Sequence, residues 1–289
     1  MKIVILIPVF NDFKSASKLI EEIDINISEL KAEFSVIVVN DASTEEKILK
    51  TKNLNNIKSL KLINMRNNKG HARCIAVGLK HISENEDFDY VIPMDGDGED
   101  RPEEISNFVE KIKDNPNNTI VGERVKRSEG IIFKICYFLH KIITYTFAGK
   151  FIKFGNFTCL TKETVKKLIE EKATWSSFSG SLAKTESNLI NSPSIRGSRY
   201  FGPSKMRFFN LINHSLAIIA VFKTGVIFRS IAFYAIYLII IADYISVITA
   251  IPLALIIIFG LVILKISGRE NMTEFNNCLT NISDIDILK

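Results

Sequence analysis

The chain has 289 residues, a formal charge of +5 and 47% hydrophobic residues, enough for one large domain and a smaller element. Lys and Arg are spread along the chain and do not form one basic run with interleaved aromatic residues, which argues against a nucleic-acid partner. The four cysteines form no C-x-x-C pair, so the composition excludes the usual zinc and disulfide frameworks. No signal peptide precedes the first apolar strand, and we therefore expect the amino-terminal domain to lie in the cytosol.

Apolar strands alternate with helices over the first hundred residues. The segments 2–9 and 34–39 predict strands, followed by helices over 15–30 and from Thr44 onward. Two further strands, 60–64 and 88–94, flank a predicted helix over 69–82. Continuous apolar strands that alternate with helices indicate an α/β fold with a mostly parallel sheet covered on both faces.

Three polar clusters fall at the carboxyl ends of these strands, where open sheets of this kind bind ligands. They are residues 8–12, Asn40-Asp41 and Asp95-Gly-Asp97. Two carboxylates that flank a glycine can be aimed at one hard cation. The alternative is a surface turn in which Asp100 caps a helix that begins near Pro102. The first strand lacks the G-x-G-x-x-G fingerprint of dinucleotide binding, and the acidic loop does not have the spacing of an EF-hand.

Residues 215–266 are almost continuously apolar. The segment 206–222 predicts a helix in the membrane interface, and 230–247 and 248–266 predict two spans of about 18 residues, or roughly 27 Å each. Basic residues precede the first span and follow the second, so we expect a hairpin with both ends cytosolic and Asp243 near the far turn. The alternative is a buried helical pair in a soluble core.

Six motifs in order resemble those of the inverting GT-A glycosyltransferases of family 2, specifically the polyprenyl-phosphate sugar synthases related to dolichol-phosphate mannose synthase. The segment 7–12 is similar to I-P-x-Y-N-E, 39–43 to V-D-D-x-S, and 68–72 to the start of N-x-G-x-x-x-A. The acidic segment 95–103 is similar to D-A-D-x-Q-x-x-P-E, 121–124 to x-G-S-R, and 199–205 to R-x-x-G-x-S-K. The resemblance runs over nearly the whole chain.

That resemblance implies a GT-A, Rossmann-like catalytic domain over 1–205. It is followed by a juxtamembrane amphipathic helix over 206–228, a transmembrane hairpin over 229–266 and a cytosolic tail over 267–289. The implied protein is a multi-pass protein of the bacterial inner membrane with its catalytic domain in the cytosol. Relatives anchored by a hairpin also suggest a homo-oligomer.

The resemblance also implies a role for each motif residue. The donor nucleotide would be bound by Pro8, Val9, Asp12, Asp41 and Asp95, with Asp41 on the base or ribose. Mg²⁺ or Mn²⁺ would be held by Asp95, Asp97 and Glu99 against the diphosphate, because a divalent ion neutralises the charge of the leaving group. The catalytic residues would be Asp97, Arg124, Arg199 and Lys205. The acceptor phosphate would be bound by Lys134, Arg199, Ser204 and Lys205, whose donors suit a lipid monophosphate.

The chain departs from the family pattern at three positions. Many relatives have G-D-F-R-L where this chain has Gly155-Asn-Phe-Thr-Cys-Leu160. Asn156 cannot act as a base, and Thr158 cannot make a bidentate phosphate contact. Asn40 replaces the first acid of the paired Asp motif. The changes at Asn156 and Thr158 leave the identity of the acceptor open, and the change at Asn40 removes one charge near the nucleoside.

The function implied is inverting, metal-dependent transfer of a sugar from a nucleoside-diphosphate sugar to a polyprenyl phosphate at the cytosolic membrane face, with membrane lipid as a further partner. A phosphate nucleophile is already ionised at neutral pH and needs no strong base. Transfer to a hydroxyl of a lipid-linked glycan or envelope acceptor is an alternative that would need a carboxylate base. A non-catalytic, membrane-anchored nucleotide-binding scaffold is an alternative of another class.

Overall fold

One eight-stranded sheet carries the chain's core. The computed structural model describes residues 1–45, 49–51, 53–126, 138–139, 141–202 and 208–289. The strands are β1 Lys2–Val9, β2 Glu33–Asn40, β3 Ile57–Met65, β4 Tyr90–Pro93, β5 Ile120–Lys126, β6 Phe154–Thr161, β7 Ile190–Ile195 and β8 Ile282–Ile287. Their spatial order is β7-β5-β6-β4-β1-β2-β3-β8. Four neighbouring pairs are parallel and three are antiparallel, which confirms the mostly parallel sheet.

Helices cover both faces of the sheet. These helices are α1 Phe13–Asn26, α2 His71–Asn85, α3 Ile105–Asp114, α4 Lys162–Glu170, α5 Phe178–Thr185 and α9 Met272–Asn276. The helices α6 Phe208–Ala220, α7 Lys223–Ile240 and α8 Val247–Ser267 pack in a separate apolar cluster. Successive side chains of a strand point to opposite faces. Accordingly, Ile5 and Ile7 of β1 pack in a cluster with α1 and α3, whereas Leu6 packs in a second cluster with α2, α4 and α5.

The predicted helix from Thr44 is absent from the described residues of that stretch. Residues 44–45 and 55–56 are bends, and residues 49–51 and 53–54 have no regular secondary structure. The carboxylate of Asp24 on α1 accepts hydrogen bonds from the backbone N–H groups of Asn55, Asn56 and Ile57 at 2.8–2.9 Å. These contacts hold residues 55–57, which lead into β3, against α1.

The apolar segment after β7 forms three helices. Helices α7 and the long α8 are apolar enough to cross a membrane by length and composition, with mean hydropathy of 1.5 and 3.0. The helix predicted over 206–228 is divided by a turn at Val221 and Phe222. Val221 lies against Gly180 of α5, where a Cβ would approach within 2.8 Å, so close packing on the sheet domain holds the turn. Asp243 lies in a 3-10 turn, Ala242–Tyr244, between α7 and α8.

The segment after the hairpin differs from the expected tail over 267–289, because it returns to the sheet. Strand β8 pairs antiparallel with β3 and forms one edge. Upstream of it, Phe275 is buried and stacks on the buried ring of Trp175, with 5.4 Å between ring centroids. The carboxylate of Glu274 accepts hydrogen bonds from Trp175 Nε1 and Lys69 Nζ, both at 2.9 Å. The chain therefore completes its sheet only after the two apolar helices.

Candidate functional site

A cavity of about 990 Å³ opens at the carboxyl ends of β1, β2 and β4. Every described residue that the sequence analysis predicted for the site lines it: Pro8, Val9, Asp12, Asp41, Asp95, Asp97, Glu99, Arg124 and Arg199. The topology of a parallel sheet brings them together, since the carboxyl ends of its strands share one edge. The predicted residues Lys134, Ser204 and Lys205 lie outside the described residues.

The acidic loop after β4 is a tight turn with its own hydrogen bonds. The Asp95 N–H donates to the Asp100 carboxylate, and the Glu99 N–H donates to the Asp97 carboxylate, both at 2.9 Å. Gly98 has a φ of +90°, and a Cβ there would approach the Tyr200 ring within 2.5 Å. Only glycine satisfies both the left-handed backbone and the close ring. Asp100 thus braces the loop instead of capping the following helix, where no side-chain cap is found.

Two arginines from the segment after β7 contact the acidic loop. Arg199 donates to Asp97 and, at 2.6 Å, to Asp12, and Arg196 donates to Glu99. The segment is also fixed by its backbone, because the Tyr200 N–H donates to the Asp97 carbonyl at 2.9 Å. Arg196 was not predicted from the sequence. In the sequence, the feature that could have suggested a site role for Arg196 is its position three residues before Arg199.

The three carboxylates predicted as metal ligands do not gather around one point. No group of three His, Cys, Asp or Glu side chains able to hold a metal occurs in the described part of the chain. Glu99 instead turns to Arg196. Asp95 and Asp97 remain, and Mg²⁺ is commonly held by one or two carboxylates together with substrate phosphates and water.

The electrostatics of the loop fit such a cation. Burial, and then the negative charge of Asp95, raises the pKa of Asp97 to about 6. The same two causes raise the pKa of Asp100 to about 7. Like charges held close together disfavour ionisation, and a divalent cation would relieve that repulsion. The donor set therefore fits a divalent ion bound through Asp95 and Asp97.

His71, at the start of α2, lines the cavity, although the sequence predicted no site role for it. Its Nε2 lies 3.2 Å from the Asp95 carboxylate and 2.8 Å from Asn156 Nδ2. Asn156 also donates to Asp95 at 3.2 Å. Burial opposes a charge on either partner, but the contact between them raises the pKa of His71 and lowers that of Asp95. His71 and Asp95 are 24 positions apart in the chain, so no local pattern reveals their contact.

Asp41 lines the cavity while it holds the start of α2. Its two carboxylate oxygens accept hydrogen bonds from the N–H groups of Lys69 at 2.7 Å and Gly70 at 2.8 Å. The side chain is buried, with 3% of the residue exposed. A contact from Asp41 to a base or ribose is thus limited to the lone pairs that these bonds leave.

Arg124 enters the cavity from β5 over Gly155 of β6. A Cβ at Gly155 would lie 2.8 Å from the guanidinium, so glycine leaves the space that Arg124 occupies. Thr158 on the same strand is fully buried and donates to the Asn156 carbonyl at 3.2 Å. It does not line the cavity, whereas Asn156 does.

The other end of the cavity is apolar. Its walls come from the stretch 139–154 and from α6, including Leu139, Ile143, Ile152, Leu211 and Leu216. The stretch 138–151 also contacts the hairpin: Arg229 of α7 donates to the Phe147 carbonyl at 3.0 Å, and Phe147 packs on Phe259 of α8 with 4.8 Å between centroids. One cavity therefore joins a charged end to an apolar end beside the two apolar helices.

The chain is similar to known proteins in sequence and in fold. The family model "Glycosyl transferase family 2" matches residues 4–163. The undecaprenyl-phosphate 4-deoxy-4-formamido-L-arabinose transferase of Klebsiella pneumoniae strain 342 is 25% identical over 219 residues, which cover 73% of this chain and 64% of the relative. The enzyme of the same name from Salmonella choleraesuis is 24% identical over 221 residues, with coverage of 73% and 64%. The chain thus spans about 64% of the length of these curated relatives.

Solved structures share the fold. Glucosyl-3-phosphoglycerate synthase from Mycobacterium tuberculosis, solved with Mn²⁺, UDP-glucose and phosphoglyceric acid, has a TM-score of 0.54 and 12% identity, covering 78% of this chain and 79% of that one. Mannosyl-3-phosphoglycerate synthase from Rubrobacter xylanophilus has a TM-score of 0.51 and 11% identity, covering 76% and 72%. The predicted fold class, a GT-A α/β domain followed by two apolar helices that form a possible hairpin, is confirmed.

Proposed function

Because this chain belongs to glycosyl transferase family 2, we propose that it transfers a sugar, with inversion, from a nucleoside-diphosphate sugar to a polyprenyl phosphate at a membrane surface. The observation that carries the proposal is the two-ended cavity. Its charged end suits a sugar nucleotide and a phosphate, and its apolar end, beside α6, suits the first units of a lipid. The undecaprenyl-phosphate transferases among its relatives support the same acceptor class.

The donor would lie across the strand ends. Pro8, Val9 and Asp41 would face the nucleoside, Asp12 would lie beside them, and Asp95 and Asp97 would hold Mg²⁺ or Mn²⁺, with Glu99 beside them. The ion supplies neutralising charge to the diphosphate as the glycosidic bond breaks. Mn²⁺ in the Mycobacterium tuberculosis structure supports a divalent ion here.

Guanidinium groups would bind phosphate oxygens. Arg124 and Arg199 both line the cavity, and Arg199 Nε is buried without a hydrogen-bond partner among the described residues. A phosphate oxygen that reached Nε would satisfy it by a charge-assisted hydrogen bond. We assign Lys134, Ser204 and Lys205 to the acceptor phosphate, as the family pattern implies, with Lys205 also acting in catalysis.

The acceptor needs no proton removed, because a phosphate monoester is ionised at neutral pH. Attack by its oxygen on the anomeric carbon, opposite the leaving diphosphate, inverts that carbon. Transfer to a hydroxyl would require a general base. Among the described cavity residues, Asp12, Asp97 and Glu99 are all engaged by arginines, which favours the phosphate acceptor.

We place the catalytic domain, 1–205, on the cytosolic side of a bacterial inner membrane, with 206–228 at the interface and 229–266 as the hairpin. Basic residues at the hairpin ends nearest the domain, Lys223, Arg229, Lys265 and Arg269, support this orientation. Exposed apolar side chains on the stretch 138–151, such as Phe138 and Tyr145, would face the same lipid surface. Self-association through the hairpin is part of the proposal.

A transfer assay tests this function. Membranes that contain the protein are given undecaprenyl phosphate, Mn²⁺ and each radiolabelled nucleotide sugar in turn. The expected product is soluble in chloroform and labile to mild acid, and membranes with Asp97→Asn give none. Label in an acid-stable glycan would support a hydroxyl acceptor. Donor that remains intact with every nucleotide sugar would support a scaffold and contradict the proposal.

A further inference from the structure

A line of side-chain hydrogen bonds runs from the last strand to the loop after β2. Asn64, at the end of β3, donates from Nδ2 to Asp284 at 2.6 Å and to Asp286 at 3.0 Å, both on β8. Its Oδ1 accepts from Asn40 Nδ2 at 2.8 Å. The Asn40 Oδ1 in turn accepts from the Ser43 N–H at 2.9 Å. We call these four side chains, Asp284, Asp286, Asn64 and Asn40, the amide relay.

The carboxylates set the direction of the relay. An ionised carboxylate only accepts hydrogen bonds, so Asn64 must turn its NH₂ group toward β8 and its oxygen toward Asn40. Asn40 is fully buried and can then meet that oxygen only with its own NH₂ group, which turns its Oδ1 to the Ser43 N–H. Without the two carboxylates, the side-chain amides of Asn64 and Asn40 could both rotate by half a turn. The Ser43 N–H would then face the NH₂ group of Asn40, which is also a donor.

The loop that receives the relay is strained and needs such support. Ala42 has a φ of 54°, and Asn11, in the loop after β1, has a φ of 51°. The left-handed region is uncommon for residues other than glycine and persists where the surroundings fix it. The two loops are joined, because the Asn11 N–H donates to Ser43 Oγ at 2.9 Å and the Asn11 Oδ1 accepts from the Thr44 N–H at 2.8 Å. Between Asn40 and Ser43 lies Asp41, which lines the cavity.

We propose that Asp284 and Asp286 are positioning residues for the nucleoside part of the donor, acting through Asn64 and Asn40 on the loop that contains Asp41. The inference rests on the proposed function, since it requires a nucleotide in this cavity. It makes the strand that follows the hairpin part of the donor site. The relay acts on the binding of the nucleoside and not on the reacting atoms, so nucleotide affinity should change while turnover at saturation is retained.

The test measures nucleotide affinity of the full-length protein in nanodiscs, with UDP, GDP, CDP and dTDP as probes in the presence of Mg²⁺. In the double variant Asp284→Ala with Asp286→Ala, we expect roughly five- to tenfold weaker binding of the preferred nucleotide, the effect of losing hydrogen bonds to charged groups at a partly exposed site. The KM for the donor should rise by the same factor, with kcat within about twofold of the wild-type value.

A charge exchange provides the rescue. Asn64→Asp alone places three carboxylates together and should weaken nucleotide binding at least as much. Asn64→Asp combined with Asp284→Asn and Asp286→Asn lets the new carboxylate accept from both β8 amides and from Asn40, and should restore binding. Failure of this triple variant to bind more tightly than Asn64→Asp would overturn the relay.

Ile285→Ala is the matched control. Ile285 pairs with Ile63 and lies between the two carboxylates, on the opposite face of β8. Its loss should lower the unfolding temperature and leave nucleotide affinity unchanged. Equal loss of affinity in this control would assign the effect to strand docking and overturn the relay. A wild-type protein that binds none of the four nucleotides would overturn the proposed function together with this inference, whereas unchanged binding by the double variant overturns the inference alone.

Discussion

Arg199 donates from Nη2 to the Asp12 carboxylate at 2.6 Å, joining positions 187 residues apart in the chain. The same guanidinium contacts Asp97, so one cation connects the loop after β1 with the loop after β4. Its planar fork suits two carboxylates at once, which a lysine ammonium does not reproduce.

Arg199→Lys should therefore lower kcat/KM for sugar transfer by roughly tenfold to a hundredfold, the effect of losing one or two charge-assisted hydrogen bonds. The measurement is the rate of lipid-linked product at varied donor concentration. Arg101→Lys is the control, because Arg101 pairs with Glu103 at the surface, outside the cavity lining, at 2.8 Å. A rate that falls equally in both variants would contradict the assignment.

Removal of divalent ions should abolish transfer, and Mn²⁺ should restore it. Asp97→Asn should weaken Mn²⁺ binding at least tenfold, because the site then retains one anionic ligand of two. Titration of Mn²⁺ followed by electron paramagnetic resonance measures this without turnover. Asp114→Asn, at the exposed end of α3, should bind Mn²⁺ like the wild type. Undiminished Mn²⁺ binding by Asp97→Asn would place the ion elsewhere.

Gly98→Ala should lower activity by roughly tenfold, since the residue has a φ of +90° and an added Cβ would meet the Tyr200 ring at 2.5 Å. Adding Tyr200→Ala removes the steric contact and leaves the backbone strain, so we expect partial recovery of the transfer rate. Gly260→Ala in α8 is the control, because nothing lies within 4 Å of its Cβ position. Complete recovery in the double variant would show that the positive φ carries no cost.

Asp24→Asn should destabilise the domain by about 2 kcal/mol, because an amide cannot accept from three backbone N–H groups as a carboxylate does. Burial opposes ionisation of Asp24, but the N–H groups of Asn55, Ile57 and Asn56 outweigh it and lower its pKa. The unfolded chain then binds the proton more tightly than the folded chain. The stabilisation is complete above the ordinary pKa of 3.8 and disappears as the pH falls below it.

Thermal unfolding of wild type and Asp24→Asn at several pH values, followed by the fluorescence of Trp175, measures this difference. The gap between their unfolding temperatures should be constant from pH 7 to about pH 5 and should shrink below about pH 4. A gap that widens in acid would contradict the lowered pKa.

A cysteine placed at Asp243 should report the orientation of the hairpin. In a Cys136→Ser background the remaining cysteines, Cys74, Cys159 and Cys278, are buried. A membrane-impermeant maleimide added to whole cells should label Asp243→Cys and should not label Asp114→Cys. Labelling of Asp114→Cys in intact cells would place the sheet domain outside.

The strands and the acidic loop were predictable because their signals are local. The β-branched runs of β1 and β2 and the change from Met94 to Asp95 identify where each strand ends. The shared edge of the sheet then follows from general topology, and the described predicted residues line one cavity.

The contacts that complete the site depend on long-range pairing. His71 and Asn156 come from different elements and meet only at Asp95. The alternation of Asp and Ile over residues 284–287 is a strand signal of period two, yet the partner strand, β3, lies more than 200 residues away. Neither the sequence of β3 nor that of β8 specifies their pairing. The pairing depends on where the chain lies after the end of α8.

The order of elements along the chain ties completion of the sheet to biosynthesis. β8 is translated after both apolar helices, so the edge of β3 stays open until the hairpin has been made. If α7 and α8 both cross a bilayer, a molecule in which only one of them inserted would leave residues 282–287 on the side of the bilayer opposite the sheet domain. Such a molecule would display an unpaired strand edge, the kind of surface that pairs with other chains and leads to aggregation. Pairing of β8 with β3 then depends on the insertion of both helices.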